Sequence, residues 1–150
     1  MAERSTTALP RAGKAPDRTA PLIRSGLDVL DFGFAIFDRD LKLVACNSAF
    51  RSLRDYPPAL CRPGTEIVEL YRFNAQRGDY GPGDPEEQAR SRLVRVRRRE
   101  PHELEYQLAT GQTLSVRYAP IAHGGMVLAY ADITARKTAA LRLLPAPELV

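Results

Sequence analysis

Side chains able to do acid–base, metal or thiol chemistry are few and scattered in this 150-residue chain. Its two histidines, His102 and His123, and its two cysteines, Cys46 and Cys61, share no spacing that would hold zinc. Two cysteines cannot build a disulfide framework either, so both read as small core or wall residues. The sequence has no phosphate-binding glycine loop, nucleophile elbow, paired carboxylates or histidine-centred constellation, and no catalytic activity is expected. Arg95, Arg97, Arg98 and Arg99 form a basic run, but Glu86, Glu87 and Glu100 dilute it. No aromatic interleaves it as a single-strand binder requires. Cations at a helix C-terminus complement its dipole, so the run reads as a solvated helix end and nucleic acid is not an expected partner. More specific are Asn47, Asp132 and Thr134, short polar residues of the kind that cap helices.

Composition frames these residues. Hydrophobic residues at 44% and charged residues at 27% describe a globular chain with room for one domain. A net charge of +4 is mildly basic. No apolar run is long enough to span a bilayer and no signal-peptide stretch opens the chain, so a cytoplasmic protein without membrane contact is expected. Residues 1–21, rich in proline and scattered basic charge, read as a disordered tail.

The elements follow from periodicity. Ile23, Leu27 and Leu30 stripe a leading helix over 22–32. Phe34–Phe37 and Leu41–Cys46 read as a hairpin about Asp38-Arg39-Asp40, with Leu41, Leu43 and Ala45 on one face. Asn47 stands as the cap of a short helix carrying Ala49, Phe50 and Leu53, ended by Pro57-Pro58. Thr65 caps a helix with Ile67, Leu70, Tyr71 and Asn74 on its face. Asp84-Pro85-Glu86-Glu87 opens another, with Ala89, Leu93 and Val96 inward. The period then falls to two. Leu104, Tyr106 and Leu108 precede the Ala109–Gln112 turn; Leu114, Val116 and Tyr118 follow it. A last strand, Met126–Ile133, leads into an exit helix from Thr134. The order predicts an α+β fold, an antiparallel sheet with helices across one face.

Three motifs in this order resemble the PAS domain, a sensory module of bacterial signalling proteins. Gly33–Asp38 with Leu43–Phe50 is similar to the family's opening hairpin and Asn-x-x-Phe helix start. Gly111–Val116 resembles its glycine turn, and Asp132-Ile133-Thr134 its closing Asp-Ile-Thr. Arg62–Thr65, Arg77–Pro85 and Glu100–Glu103 resemble a subgroup found in sensor histidine kinases and cyclases. The resemblance spans 27–138. It implies a PAS-like five-stranded antiparallel sheet over 33–134, flanked by the leading helix and by a short exit helix and tail over 135–150.

The resemblance also implies what to look for. A haem would need a histidine on a helix lining the pocket, and His102 and His123 sit at strand edges. A photoreactive flavin would need cysteine within Asn-Cys-Arg-Phe, which Leu60-Cys61-Arg62-Pro63 does not provide. Neither cofactor is expected. A pocket for an uncharged or carboxylate metabolite would be walled by Ile36, Leu43, Phe50, Ile67, Leu70, Tyr71, Leu93, Tyr106, Val116, Tyr118, Met126 and Leu128; a filled core explains the same residues equally well. Asn47, Asp132, Ile133 and Thr134 would carry the signal junction, and Ile23, Leu27 and Leu30 a dimer helix. The expected function is non-catalytic sensing, relayed through a homodimer or to a partner chain such as a kinase or cyclase, because the chain ends soon after the exit helix. The alternatives are a constitutive dimerisation scaffold, or a ketosteroid-isomerase-like small-molecule binder or enzyme.

Overall fold

A computed structural model describes residues 17–143. A helix, α1 (Thr19–Leu27), leads into strands β1 (Gly33–Phe37) and β2 (Leu43–Cys46). Helix α2 (Ser48–Arg54), a 3-10 turn at Pro58–Cys61, α3 (Ile67–Gln76) and α4 (Pro85–Arg97) follow. Strands β3 (His102–Gln107), β4 (Thr113–Pro120) and β5 (Met126–Asp132) complete a five-stranded antiparallel sheet ordered β2-β1-β5-β4-β3, and α5 (Thr134–Leu143) leaves it. This is the α+β arrangement expected from the periodicity.

The core lies between the sheet and α2, α3 and α4. Phe37, Phe50, Ile67, Leu70, Val96, Val116, Met126 and Leu128 are its largest apolar side chains. One face of the sheet supplies Phe37, Val116, Met126 and Leu128, and β5 shows the alternation: Met126, Leu128 and Tyr130 are buried, with Val127 and Ala129 less so. On β1 the inward residues are Ala35 and Phe37, which puts Ile36 on the opposite face. Ile36 is therefore removed from the pocket wall.

β2 corrects a second expectation. Ile36 pairs Ala45 but Phe37 pairs Leu43, so Val44 is an extra, exposed residue. Such a bulge reverses the alternation beyond it. Leu43 and Cys46 point inward, and Ala45 does not. The outer edge of β2 is covered: Leu43 N–H donates to Thr65 O and Gly64 N–H to Leu43 O, each at 2.8 Å.

The leading helix also differs. It begins at Thr19 rather than 22 and stops at Leu27, leaving Leu30 in the connection to β1. Residues 1–16 of the expected tail, and those after Leu143, lie outside the described residues. Helix α3 has Glu66 as N-cap with no side-chain bond, while the Thr65 hydroxyl turns back to Arg62 O at 2.8 Å. Asp84 does cap α4, accepting from Glu87 N–H at 2.9 Å.

Candidate sensory core and signal junction

Asn47 is fully buried where β2 turns into α2, and all four of its side-chain hydrogen-bond positions are used. Its Oδ1 accepts from Phe34 N–H at 2.8 Å and Phe50 N–H at 3.0 Å. Its Nδ2 donates to Leu27 O and Phe32 O, both at 2.9 Å. One amide thus ties the end of α1, β1 and the start of α2 together. Asp28 adds a second clasp by accepting from Ser48 N–H at 2.7 Å; this bond holds its carboxyl below the usual carboxylate range. The approach is close enough that a Cβ on Gly33 would lie 2.8 Å from the Phe50 Cα.

The second junction lies where β5 becomes α5. Asp132 Oδ1 accepts from Thr134 N–H at 2.9 Å and from the Thr134 hydroxyl at 2.5 Å. These bonds, the hydroxyl's first, lower the Asp132 pKa. Thr134 Oγ1 in turn accepts from Thr113 N–H at 2.9 Å, and Gln112 Nε2 reaches Asp132 Oδ2 at 3.3 Å. Ile133 is buried, with its N–H on Thr113 O at 2.9 Å. The start of β4 and the start of α5 are therefore one hydrogen-bonded unit. Lys137 and Glu105, 2.7 Å apart, fasten α5 to β3 as well.

Between the helices and the sheet sits a polar knot that periodicity did not reveal. Arg54 is only 2% exposed and bonds Asp79 at 3.2 Å. Asp79 also takes Arg77 at 2.6 Å, and Arg77 reaches Arg54 O at 2.6 Å. Asn74 Nδ2 donates to the Tyr56 hydroxyl at 2.9 Å and the Tyr80 hydroxyl at 3.1 Å. The Arg54 guanidinium lies 5.6 Å from the Tyr130 ring and 5.8 Å from the Tyr106 ring. Burial opposes its charge, but Tyr56, Tyr130 and Asp79 outweigh this and raise its pKa. Burial likewise pushes Tyr71, Tyr118 and Tyr130 well above the ordinary phenol range. The Arg77-Gly78-Asp79-Tyr80 motif thus acts as the loop that closes this knot. Arg54 was legible in one respect: it stands four residues after Phe50, on the same inward helix face.

Leu43, Phe50, Ile67, Leu70, Tyr71, Val116, Tyr118, Met126 and Leu128 are brought together in the core, with Leu93 and Tyr106 half-buried against it. The space among Tyr71, Leu104, Tyr106, Tyr118, Val96 and Arg92 amounts to about 10 Å³. His102 stacks on Tyr118, ring centroids 4.2 Å apart, at its edge. Cys46 and Cys61 are free thiols; burial raises both, Cys61 to about 11. Ile23 is 56% exposed, Leu27 half-buried and Leu30 37% exposed, and α1 buries no residue. In the basic run Arg95, Arg97 and Arg98 are exposed, as a solvated helix end would have them, while Arg99 is half-buried. Its guanidinium donates to Arg39 O and Gly124 O, stapling two hairpin turns together. Among the described residues, no helix is long and apolar enough to cross a membrane.

A five-stranded antiparallel sheet covered by helices, with a capped exit junction, defines the fold, and comparison with known proteins gives its family. The chain belongs to the PAS fold family, whose model matches residues 27–141. It is 28% identical over 118 residues to the non-motile and phage-resistance protein of Caulobacter vibrioides, a match spanning 77% of this chain and 12% of that protein. Its fold is similar to the PAS domain of Bordetella pertussis BvgS, with a TM-score of 0.55 at 18% identity, covering 82% of this chain and 96% of the other. It is also similar to VqmA in a phage VqmA–DPO complex, with a TM-score of 0.52 at 16% identity, covering 84% and 58%.

Proposed function

We propose that this PAS module senses a small molecule in its helix–sheet core and relays occupancy through the exit helix to a second chain. The observation that carries this reading is the junction network. The Thr134 hydroxyl bonds Asp132 on one side and the Thr113 N–H on the other, so a shift of β4 reaches the first turn of α5 directly. A ligand moves such an equilibrium only through its differential affinity for two packings, typically about 1–3 kcal/mol of coupling. The exposed apolar residues Leu22, Ile23 and Val29 give α1 and its connection a surface for a second copy of the chain, and a partner kinase or cyclase would read the rearranged helices. No catalytic role is assigned.

Asp132→Ala tests the relay. The variant is expected to keep the fold and bind ligand like the wild type, while the ligand-dependent change at α5, read by a fluorophore on that helix, is lost. An unchanged response in the variant would overturn the relay. A second reading has its own support: the near-closed interior, about 10 Å³ at its aromatic centre, suits a constitutive dimerisation scaffold. A scaffold would show no ligand-dependent shift in melting temperature.

A further inference from the structure

Cys46 and Cys61 are the chain's two cysteines, and the fold sets them side by side as free thiols. Cys46 ends β2, and the Val44 bulge is what turns its side chain inward. There β2 packs on the 3-10 turn that Cys61 ends. The Cys46 thiol donates to Cys61 O at 3.9 Å, and each thiol is within hydrogen-bonding reach of the other. Cys46 is only 6% exposed, whereas Cys61 is half-buried, so a small solute meets Cys61 first. Packing needs no more than a small side chain at each position. Two thiols in contact add chemistry that neither has alone.

We propose that Cys46 and Cys61 form a reversible disulfide in response to a hydroperoxide, which makes this corner a redox input separate from the core. The Cys61 thiolate attacks one peroxide oxygen: an S–O bond forms, the O–O bond breaks, and the departing oxygen takes a proton and leaves as water. The Cys46 sulfur then attacks the Cys61 sulfur. An S–S bond forms, the S–O bond breaks, and the hydroxyl leaves with the Cys46 proton as a second water. Two thiols and one hydrogen peroxide thus give one disulfide and two waters, with two electrons passing from sulfur to oxygen. Burial keeps both thiols protonated near neutral pH, with Cys61 pushed up to about 11, although Arg51 on α2 favours both thiolates. Arg24 on α1 also favours the Cys46 thiolate and Asp28 opposes it. Oxidation is therefore slow, and the bond accumulates under sustained peroxide rather than a brief pulse. Once formed, it closes a loop that holds Asn47, all of α2 and Arg54, tying the stretch after α2 to the residue at the end of β2. The reaction needs no ligand in the core and stands apart from the small-molecule reading.

Hydrogen peroxide added to the reduced full chain tests the pair, read by intact mass and by peptide mapping without reductant. The expected result is a loss of about 2 Da, a peptide linking Cys46 to Cys61 within one chain, and full reversal by dithiothreitol. The rate is expected to rise about tenfold per pH unit between pH 7 and 9, as the thiolate fraction does. The linked protein should melt roughly 5–10 °C higher than the reduced one. Cys46→Ser removes the resolving thiol, so Cys61 should stop at the sulfenic acid and be captured by dimedone, which the wild type resists. Dimedone capture of the wild type to the same extent would overturn the pairing. So would thiols that stay reduced, or links only between chains; the wild-type map decides these without any variant. A linked protein that melts no higher than the reduced one would overturn the restraint on α2.

Discussion

Two buried polar centres lie at opposite ends of the short helix α2, and they are built on different principles. At its start, Asn47 makes four hydrogen bonds with its two side-chain heavy atoms and leaves nothing over. At its end, Arg54 is as deeply buried but keeps two nitrogens unpartnered, and it shares its single carboxylate with Arg77. A satisfied network fixes one arrangement, because every alternative breaks a bond in a low-dielectric interior. A partly satisfied one holds free energy that a ligand or a second packing can release. The Asn47 corner has every polar atom partnered, as a rigid frame would, and the Arg54 knot leaves donors unpartnered.

The largest effect expected from breaking this comparison is at the frame. Asn47→Ala strands Phe34 N–H, Phe50 N–H, Leu27 O and Phe32 O at once, and should cost roughly 3–5 kcal/mol in urea unfolding. A loss under about 1 kcal/mol would mean that the corner is not the frame. Gly33→Ala probes the same corner sterically. Its Cβ would meet backbone atoms of Phe50 at 2.8 Å, which cannot rotate away, so about 1–3 kcal/mol should be lost. If the frame is rigid, that loss appears without any change in ligand response.

The smallest effect is expected at the exit junction and depends on pH. The Asp132 carboxyl has a folded pKa below its unfolded value, so its contribution is present above about pH 4 and is lost as pH falls through the folded pKa. The stability difference between wild type and Asp132→Ala should therefore be small in urea unfolding at pH 7, a few tenths of a kcal/mol (~0.3) because solvent screens this exposed carboxylate, and should shrink as pH falls below about 4. A difference that persists in acid would show that the carboxylate bonds to Thr134 are not its source.

Much of the fold is written locally. Periods of 3.6 and 2 place every core helix and strand, and Asn47, Asp84 and Asp132 mark helix starts because a short polar side chain beside a free N–H is a local solution. Where a local rule met a tertiary one, the tertiary one won. Val44 looked like an ordinary strand residue; its bulge is set by pairing with β1, and it carried Cys46 to the inside in place of Ala45. Ile36 is as apolar as its neighbours, and only the register against β5, where it pairs Val127, puts it on the outer face. The stripe of Ile23, Leu27 and Leu30 was a helical spacing, but Asp28 is held by Ser48 N–H, 20 residues on, and the helix ends before Leu30.

The sequence alone determined the order of elements, the antiparallel α+β architecture and the capped junctions, since these depend on side-chain period and on bonds between near neighbours. Which charges are buried was decided by the tertiary structure. Arg54 and Asp79, its ion-pair partner, are 25 residues apart. A charged residue belongs to the solvent by its chemistry alone. It enters a core only when folding brings it a partner from elsewhere in the chain.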